Sequence, residues 1–250
     1  MQNNIIKVLS LIVFLIVWEI AAFDSQTLNF FVSSPSASFE YAVTNFENIL
    51  NSTLITSIEA FSGFVIAIAF SFVIMFYCLL YPPFLKIILP VFVTSQVLPI
   101  ITLAPFFIIL FGMGLMSKIA MVVLMCFFPI FINFSAGVNS ISQNTQELLY
   151  VYNAGKMFRI FKIIIPLSTP YIFTGLKVST TMAIMGAIVS EFVGAKDGLG
   201  KNLYLAPKNS LPELMICSIV LITLLGWLLF KAVELTEKKL GNWYANHDTQ

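Results

Sequence analysis

The sequence predicts an all-α membrane protein with six transmembrane helices, and two observations carry that prediction. Of 250 residues, 59% are hydrophobic and only 10% charged, against roughly 45–50% and about 25% in soluble domains. The apolar residues also gather into solid runs near 5–23, 54–80, 84–111, 115–138, 168–194 and 212–235. A helix needs about 20 apolar residues to cross a ~30 Å hydrocarbon core. In lipid an unpaired backbone group finds no water, so only helices and closed barrels can span. These long runs lack the ~10-residue alternation of barrel strands.

The first run, Ile5–Phe23, has a cleaved signal peptide as its alternative reading. A lysine leads its apolar stretch and the small residues Ala21-Ala22 close it. Against cleavage, the run is long, and Trp18 and Glu19 stand just before that point. A retained first helix is the expectation. Residues 24–53 are polar at first, then place Phe39, Ala42, Val43, Phe46, Ile49 and Leu50 at helical spacing. That predicts an amphipathic helix over Ser36–Asn51, packed on the bundle or lying in the interface. Ser34-Pro35-Ser36 supplies its start signal.

The second run contains Phe61–Leu80, which has no charge. In the third, Thr94, Ser95 and Gln96 form a polar cluster bracketed by Pro90 and Pro99. Prolines free helix carbonyls, which is tolerated where backbone lines a cavity. Asn133 and Ser135 of the fourth run are candidates to face the same space. Each polar residue also has a structural reading, as interhelical glue; as a group they are the candidate pore lining. Glu191 lies near the outer end of the fifth run. An ionisable group within a span costs roughly 2.5–3.5 kcal/mol or more at the bilayer centre, so it is the residue expected to cost most. It is either an interfacial residue, solvated or paired with Lys196 or Lys201, or a gate on a translocation path.

Basic residues set the expected topology. With the N-terminus inside, nine of the 13 lie at cytoplasmic ends or loops, and Lys118, Lys196, Lys201 and Lys208 lie outside; the positive-inside rule accepts that split. The polar segment 139–167 then faces the cytoplasm. The net charge of +1 implies no nucleic-acid partner. Cys78, Cys126 and Cys217 fall inside apolar spans and read as small core residues. His247 reads as a solvated tail residue. No cofactor, metal site or catalytic residue is expected.

Segment 139–167 reads as a hairpin of two short helices. Asn144 followed by Glu147 resembles a capping box. Asn153 is the residue type that most readily takes left-handed backbone without being glycine, so the chain reverses there, helped by Gly155. A second helix from Lys156 carries Lys156, Arg159 and Lys162 on one side. It is expected to end at Ile165, because a residue before proline avoids the α region.

The run Glu147-Leu148-Leu149, then Asn153, Ile163 and Ile165-Pro166, resembles the EAA loop of binding-protein-dependent ABC transporter permeases. That loop reads Glu-Ala-Ala, three residues, Gly, nine residues, Ile, one residue, Leu-Pro. Here Leu148-Leu149 replace the alanines, Asn153 the glycine and Ile165 the leucine. Pro166–Tyr171 with Thr174-Gly175-Leu176-Lys177 is similar to the permease segment after the loop. Ser190–Gly194 with Gly198-Leu199-Gly200, and Pro99, Pro105, Gly112, Gly114 and Pro129, resemble the sulfonate, taurine and nitrate importer branch.

The resemblance implies a type I ABC importer-like permease, residues 1–250 being one domain with a coupling hairpin near 139–167. It implies a multi-pass protein of the bacterial inner membrane, surrounded by lipid, with both termini cytoplasmic. Its expected partners are a cytoplasmic ABC ATPase, an extracytoplasmic substrate-binding protein and a second permease copy, as a homodimer. Glu147, Leu148, Leu149, Asn153, Ala154, Gly155, Lys156 and Pro166 are then the ATPase-coupling residues. Thr94, Ser95, Gln96, Asn133 and Glu191 are the candidate translocation path. A small anion is the expected solute, with a thiamine-precursor pyrimidine as the alternative. Gly194–Asn202 is not a phosphate loop, because Ala195 and Asn202 stand where glycine and Ser or Thr are required. ATP hydrolysis therefore falls to a partner subunit. A membrane-embedded enzyme has no visible chemistry here, and a stand-alone secondary carrier would leave the basic hairpin unexplained.

Overall fold

The computed structural model describes residues 2–23, 33–194 and 196–247; the stretch 24–32, Ala195 and the side chain of His247 lie outside them. Every regular element among the described residues is helical. The long helices are α1 (Gln2–Phe23), α3 (Phe46–Leu80), α6 (Leu115–Asn139), α9 (Ile165–Phe192) and α11 (Pro212–His247). Shorter ones are α2 (Pro35–Thr44), α4 (Pro82–Ser95), α5 (Ala104–Phe111), α7 (Gln143–Val151), α8 (Lys156–Phe158) and α10 (Leu199–Leu205).

Four helices are long and apolar enough to cross a membrane: Phe46–Leu80, Leu115–Asn139, Lys156–Phe192 and Pro212–Leu240. A bent pair, Pro82–Ser95 with Ile100–Phe111, makes a fifth if taken as one span. The apolar part of α1, Ile12–Ala22, is shorter. The chain is thus a multi-pass, all-helical membrane protein.

Three expected boundaries differ, each for a local reason. The third run is not one helix but two, bent by 93°. After Ser95 the backbone bonds shorten, Val97 N–H reaching Thr94 O and Leu98 N–H reaching Ser95 O. Pro99 then sits extended at φ −63°, ψ 104°, because proline has no N–H with which to continue the ladder. The amphipathic helix uses the expected Ser34-Pro35-Ser36 start signal but begins at Pro35 rather than Ser36, with Ser34 as its cap, and stops at Thr44. There the Thr44 hydroxyl bonds Glu40 O, and Asn45 Nδ2 bonds Tyr41 O. Such side chain–backbone bonds compete with the helix ladder, so Phe46–Asn51 belongs to α3 instead. Lastly, the second hairpin helix does not end at Ile165. It runs into α9 through a wide π turn, Arg159–Ile164, and Ile165 stays helical at φ −61°, ψ −49°. Pro166 falls in the first turn of α9, where a missing N–H is tolerated.

The core is α6 held between α3 and α9. Val122, Cys126 and Ile130 of α6 pack with Ala60, Phe64 and Ala67 of α3 and with Phe173, Ala183 and Ala187 of α9. Nearer the hairpin, Phe127, Phe131 and Phe134 pack with Met75 and Ile172. Glycines let the backbones approach. A Cβ on Gly63 would lie 2.5 Å from Val122 Cβ, one on Gly186 2.9 Å from Val122 Cα, and one on Gly175 2.9 Å from Pro129 O. Small residues at helix contacts are the usual means of association in lipid, where burial alone gives little drive. Cys126 and Ser179 add reciprocal bonds to each other's carbonyls at 3.4 and 3.0 Å. All three cysteines are buried and free, matching the expectation.

Gly186→Val should therefore overpack the α6–α9 contact and cost about 1–3 kcal/mol, read as a lower melting temperature of the purified chain. Gly226→Ala, inside α11 and with a Cβ only in ordinary contact at 3.7 Å from Ile184, should not lower melting, since alanine favours a helix interior over glycine.

Candidate functional site

Two polar assemblies stand at opposite ends of the α6–α9 pair. The first is the segment joining these helices. Helix α7 begins at Gln143, and the Ser142 hydroxyl accepts from Thr145 N–H at 3.3 Å. Ser142 is therefore the cap, not Asn144. Glu147 accepts from Gln143 Nε2 at 2.9 Å and makes no capping box. The serine wins because its short side chain reaches the third helical N–H from one position before the helix.

The chain reverses at Asn153, whose φ is +50°, as its residue type predicts. Just past it, Ala154 N–H reaches back to Leu149 O at 3.1 Å, the bond that closes helices ending in a left-handed residue. Arg159 then staples the two arms: Nε donates to Ala154 O at 2.8 Å and Nη2 to Leu149 O at 3.2 Å. Of the three expected basic residues, Arg159 is thus committed to the fold, while Lys156 and Lys162 remain exposed. Ile160 is buried, whereas Leu148, Val151, Tyr152, Met157 and Phe158 are exposed. The segment presents an apolar and basic surface on a cross-braced turn.

The second assembly lies at the far end. Glu191 is buried at 2% exposure. It accepts from the Thr56 hydroxyl at 2.7 Å and from Gly200 N–H at 2.5 Å. Leu199 N–H donates to Thr56 Oγ1 at 2.9 Å. The first N–H groups of a helix have no partner within it; here α9 and α3 supply those partners to α10. Gly198 has φ +128°, and a Cβ there would fall 2.2 Å from Glu191 Oε1. A glycine is therefore required twice over. Lys201 pairs with Asp197 at 3.6 Å rather than with Glu191, so the expected alternative of a lysine-paired interfacial residue does not hold.

Beside Glu191 lies Glu59 of α3, 1% exposed, with Lys118 of α6 donating to its Oε1 at 2.5 Å. The Glu59 and Glu191 carboxyls lie within side-chain hydrogen-bond reach of each other, a contact that a proton on one of them completes. Sequence reasoning missed both Glu59 and Lys118. The available signal was a lone charge within the 54–80 run, but its partner lies 59 residues away and no local pattern links them.

The remaining candidates are not drawn together by any hydrogen bond among the described residues. Thr94 donates to Pro90 O at 2.8 Å and Ser95 to Phe92 O at 2.8 Å, both within α4. Gln96 is exposed at the break. Asn133 donates to Pro129 O at 2.8 Å, one helical turn back, while Ser135 Oγ is buried without such a partner.

Residues 80–241 match the family described as binding-protein-dependent transport system inner membrane component. A formylaminopyrimidine transport permease of Halalkalibacterium halodurans is 34% identical over 158 residues, covering 63% of each chain. A probable ABC transporter permease of Haemophilus influenzae is 25% identical over 235 residues, 94% of this chain and 96% of its own. A putative aliphatic sulfonates transport permease of Bacillus subtilis is 29% identical over 153 residues, 61% of this chain and 55% of its own.

Lys118→Met should strand the buried Glu59 carboxylate and cost about 3–5 kcal/mol. Lys177→Met, breaking a partly exposed pair with Glu237, should cost under about 1 kcal/mol. Glu191→Ala should cost about 1–3 kcal/mol by leaving Gly200 N–H without a partner. Melting of the purified variants orders the three.

Proposed function

Since the chain belongs to the family of binding-protein-dependent transport system inner membrane components, we propose that it is the permease subunit of an ATP-driven ABC importer. In this reading residues 1–250 act as one domain of six spans, with α1 and the bent α4–α5 pair counted as one each. Segment 139–167 and both termini face the bacterial cytoplasm. A separate ATPase grips the hairpin at Glu147, Leu148, Leu149, Asn153, Ala154, Gly155, Lys156 and Pro166. A binding protein delivers solute at the opposite face, and two copies of the chain enclose the path, to which Thr94, Ser95, Gln96, Asn133 and Glu191 contribute.

The observation that supports this most is the braced hairpin. The left-handed Asn153 and the Arg159 bonds to Leu149 and Ala154 hold both arms together. The second arm then continues into the span Lys156–Phe192 without a loop. A load applied to the turn would pass directly into α9, as a lever requires.

The proposed solute is a small anion such as a sulfonate, taurine or nitrate, a reading supported by the branch resemblance and the sulfonate relative. The second reading, a thiamine-precursor pyrimidine, is supported by the formylaminopyrimidine relative. A cavity of about 540 Å³ is walled by Phe70, Phe92, Phe107, Phe111, Phe127 and Phe128, with no charged side chain lining it. These walls offer ring-stacking surface but no polar partner, so the lost hydration of an anion, or of a pyrimidine's ring nitrogens and amino group, would go uncompensated there.

Reconstitution in liposomes with ATPase and binding protein tests the assignment. Uptake should require both partners, and transport by this chain alone would overturn the importer reading. Binding-protein stabilisation by a pyrimidine but by no anion would settle the solute for the second reading. Asn153→Val should uncouple ATP hydrolysis from uptake, because a β-branched residue at positive φ is strained by about 1–3 kcal/mol. Asn153→Gly should couple normally.

A further inference from the structure

We propose a lipid site between the α3–α4 turn and the basic hairpin, built to hold the phosphate of an anionic phospholipid. The cavity there is about 550 Å³, within the roughly 300–1,000 Å³ of common ligand sites. Three cations from separate elements line it: Lys86 of α4, Lys156 of α8 and Arg159 of the π turn. The described residues form five ion pairs, and none of these three cations takes part in one. Glu147, the hairpin's own acid, is engaged by Gln143. Three like charges around one cavity repel, and an anion among them removes that cost.

Arg159 is also preorganised. Its two bonds to Leu149 O and Ala154 O use two of five guanidinium donors and leave three for a ligand. Phosphate oxygens are the acceptors that such a planar fork and two ammonium groups serve best.

The other walls decide what kind of phosphate. Leu89, Ile160 and Ile164 line the same cavity. A free phosphate would meet the cations and leave this apolar surface wet. A phosphodiester carrying an acyl chain covers both, and basic pockets between transmembrane helices suit such headgroups. The cavity is bounded by the ends of membrane-crossing helices, where headgroups lie. This inference needs only the membrane location of the chain and not the identity of its transport partners.

Native mass spectrometry of the purified full chain, mixed with phosphatidylglycerol and phosphatidylcholine, tests it. Phosphatidylglycerol should be retained in preference. Lys86→Gln with Lys156→Gln should weaken its retention roughly 30-fold, from about 1 kcal/mol for each cation, and leave phosphatidylcholine unchanged. Leu89→Trp, which fills the apolar part, should weaken it without altering charge. A Lys196→Gln, Lys208→Gln control at the opposite end should retain the lipid. Equal retention of the two lipids by the wild-type chain overturns the site, as does an unaltered affinity in the lysine variant. Should that variant not fold, the wild-type comparison and Leu89→Trp still decide. Loss of bound phosphatidylglycerol to excess inorganic phosphate also overturns the lipid reading, in favour of a soluble phosphate.

Discussion

The close approach of α6 to its two neighbours is the constraint on which the rest of this molecule depends. Gly63 on α3 and Gly186 on α9 both sit against Val122, and Gly175 sits against the Pro129 carbonyl. In lipid, apolar burial adds little to helix association, so contact at backbone distance and the bonds it permits must do the holding. With α6 and α9 fixed together, their linked ends form the hairpin, and their opposite ends bring Lys118 and Glu191 beside Glu59.

Both polar assemblies answer one problem, the backbone groups left over where helices stop. At the hairpin, Leu149 O accepts from Ala154 N–H and from Arg159, which ends α7 and braces the reversal in the same bonds. At the far end, α10 begins against Glu191 and Thr56, and two glycines make room for the carboxylate. A group that satisfies a helix end also couples the elements supplying it. Helix α9 is thereby bonded to α10 and α3 at one end and runs without a break into the hairpin's second arm at the other.

Some of this was legible in the chain and some was not. Asn153 was readable as a left-handed turn because the preference belongs to the residue and its immediate backbone. Ser34-Pro35 was readable as a helix start for the same reason. The Asn144 cap was misread because Ser142 offered an equally good acceptor two residues earlier, and spacing alone does not choose between them. The ending at Ile165 was misread because proline removes a helix bond only where that bond is needed. A π turn leading into a first-turn proline avoids the loss. Burial of Glu191 was expected to be costly. Its actual partners are a threonine 135 residues away and a glycine N–H beyond a turn.

The sequence by itself determined the class of molecule, four of its long apolar helices, the turn at Asn153 and the residues that carry the family resemblance. Those features follow from composition, period and local backbone preference, which act within a few residues. Only the tertiary structure decided that the third run bends by 93°, that Glu59 and Lys118 join Glu191, and that Lys86 comes to the same cavity as Lys156 and Arg159. These are pairings between distant segments, set by how closely the helices approach, and a linear pattern does not encode which faces meet.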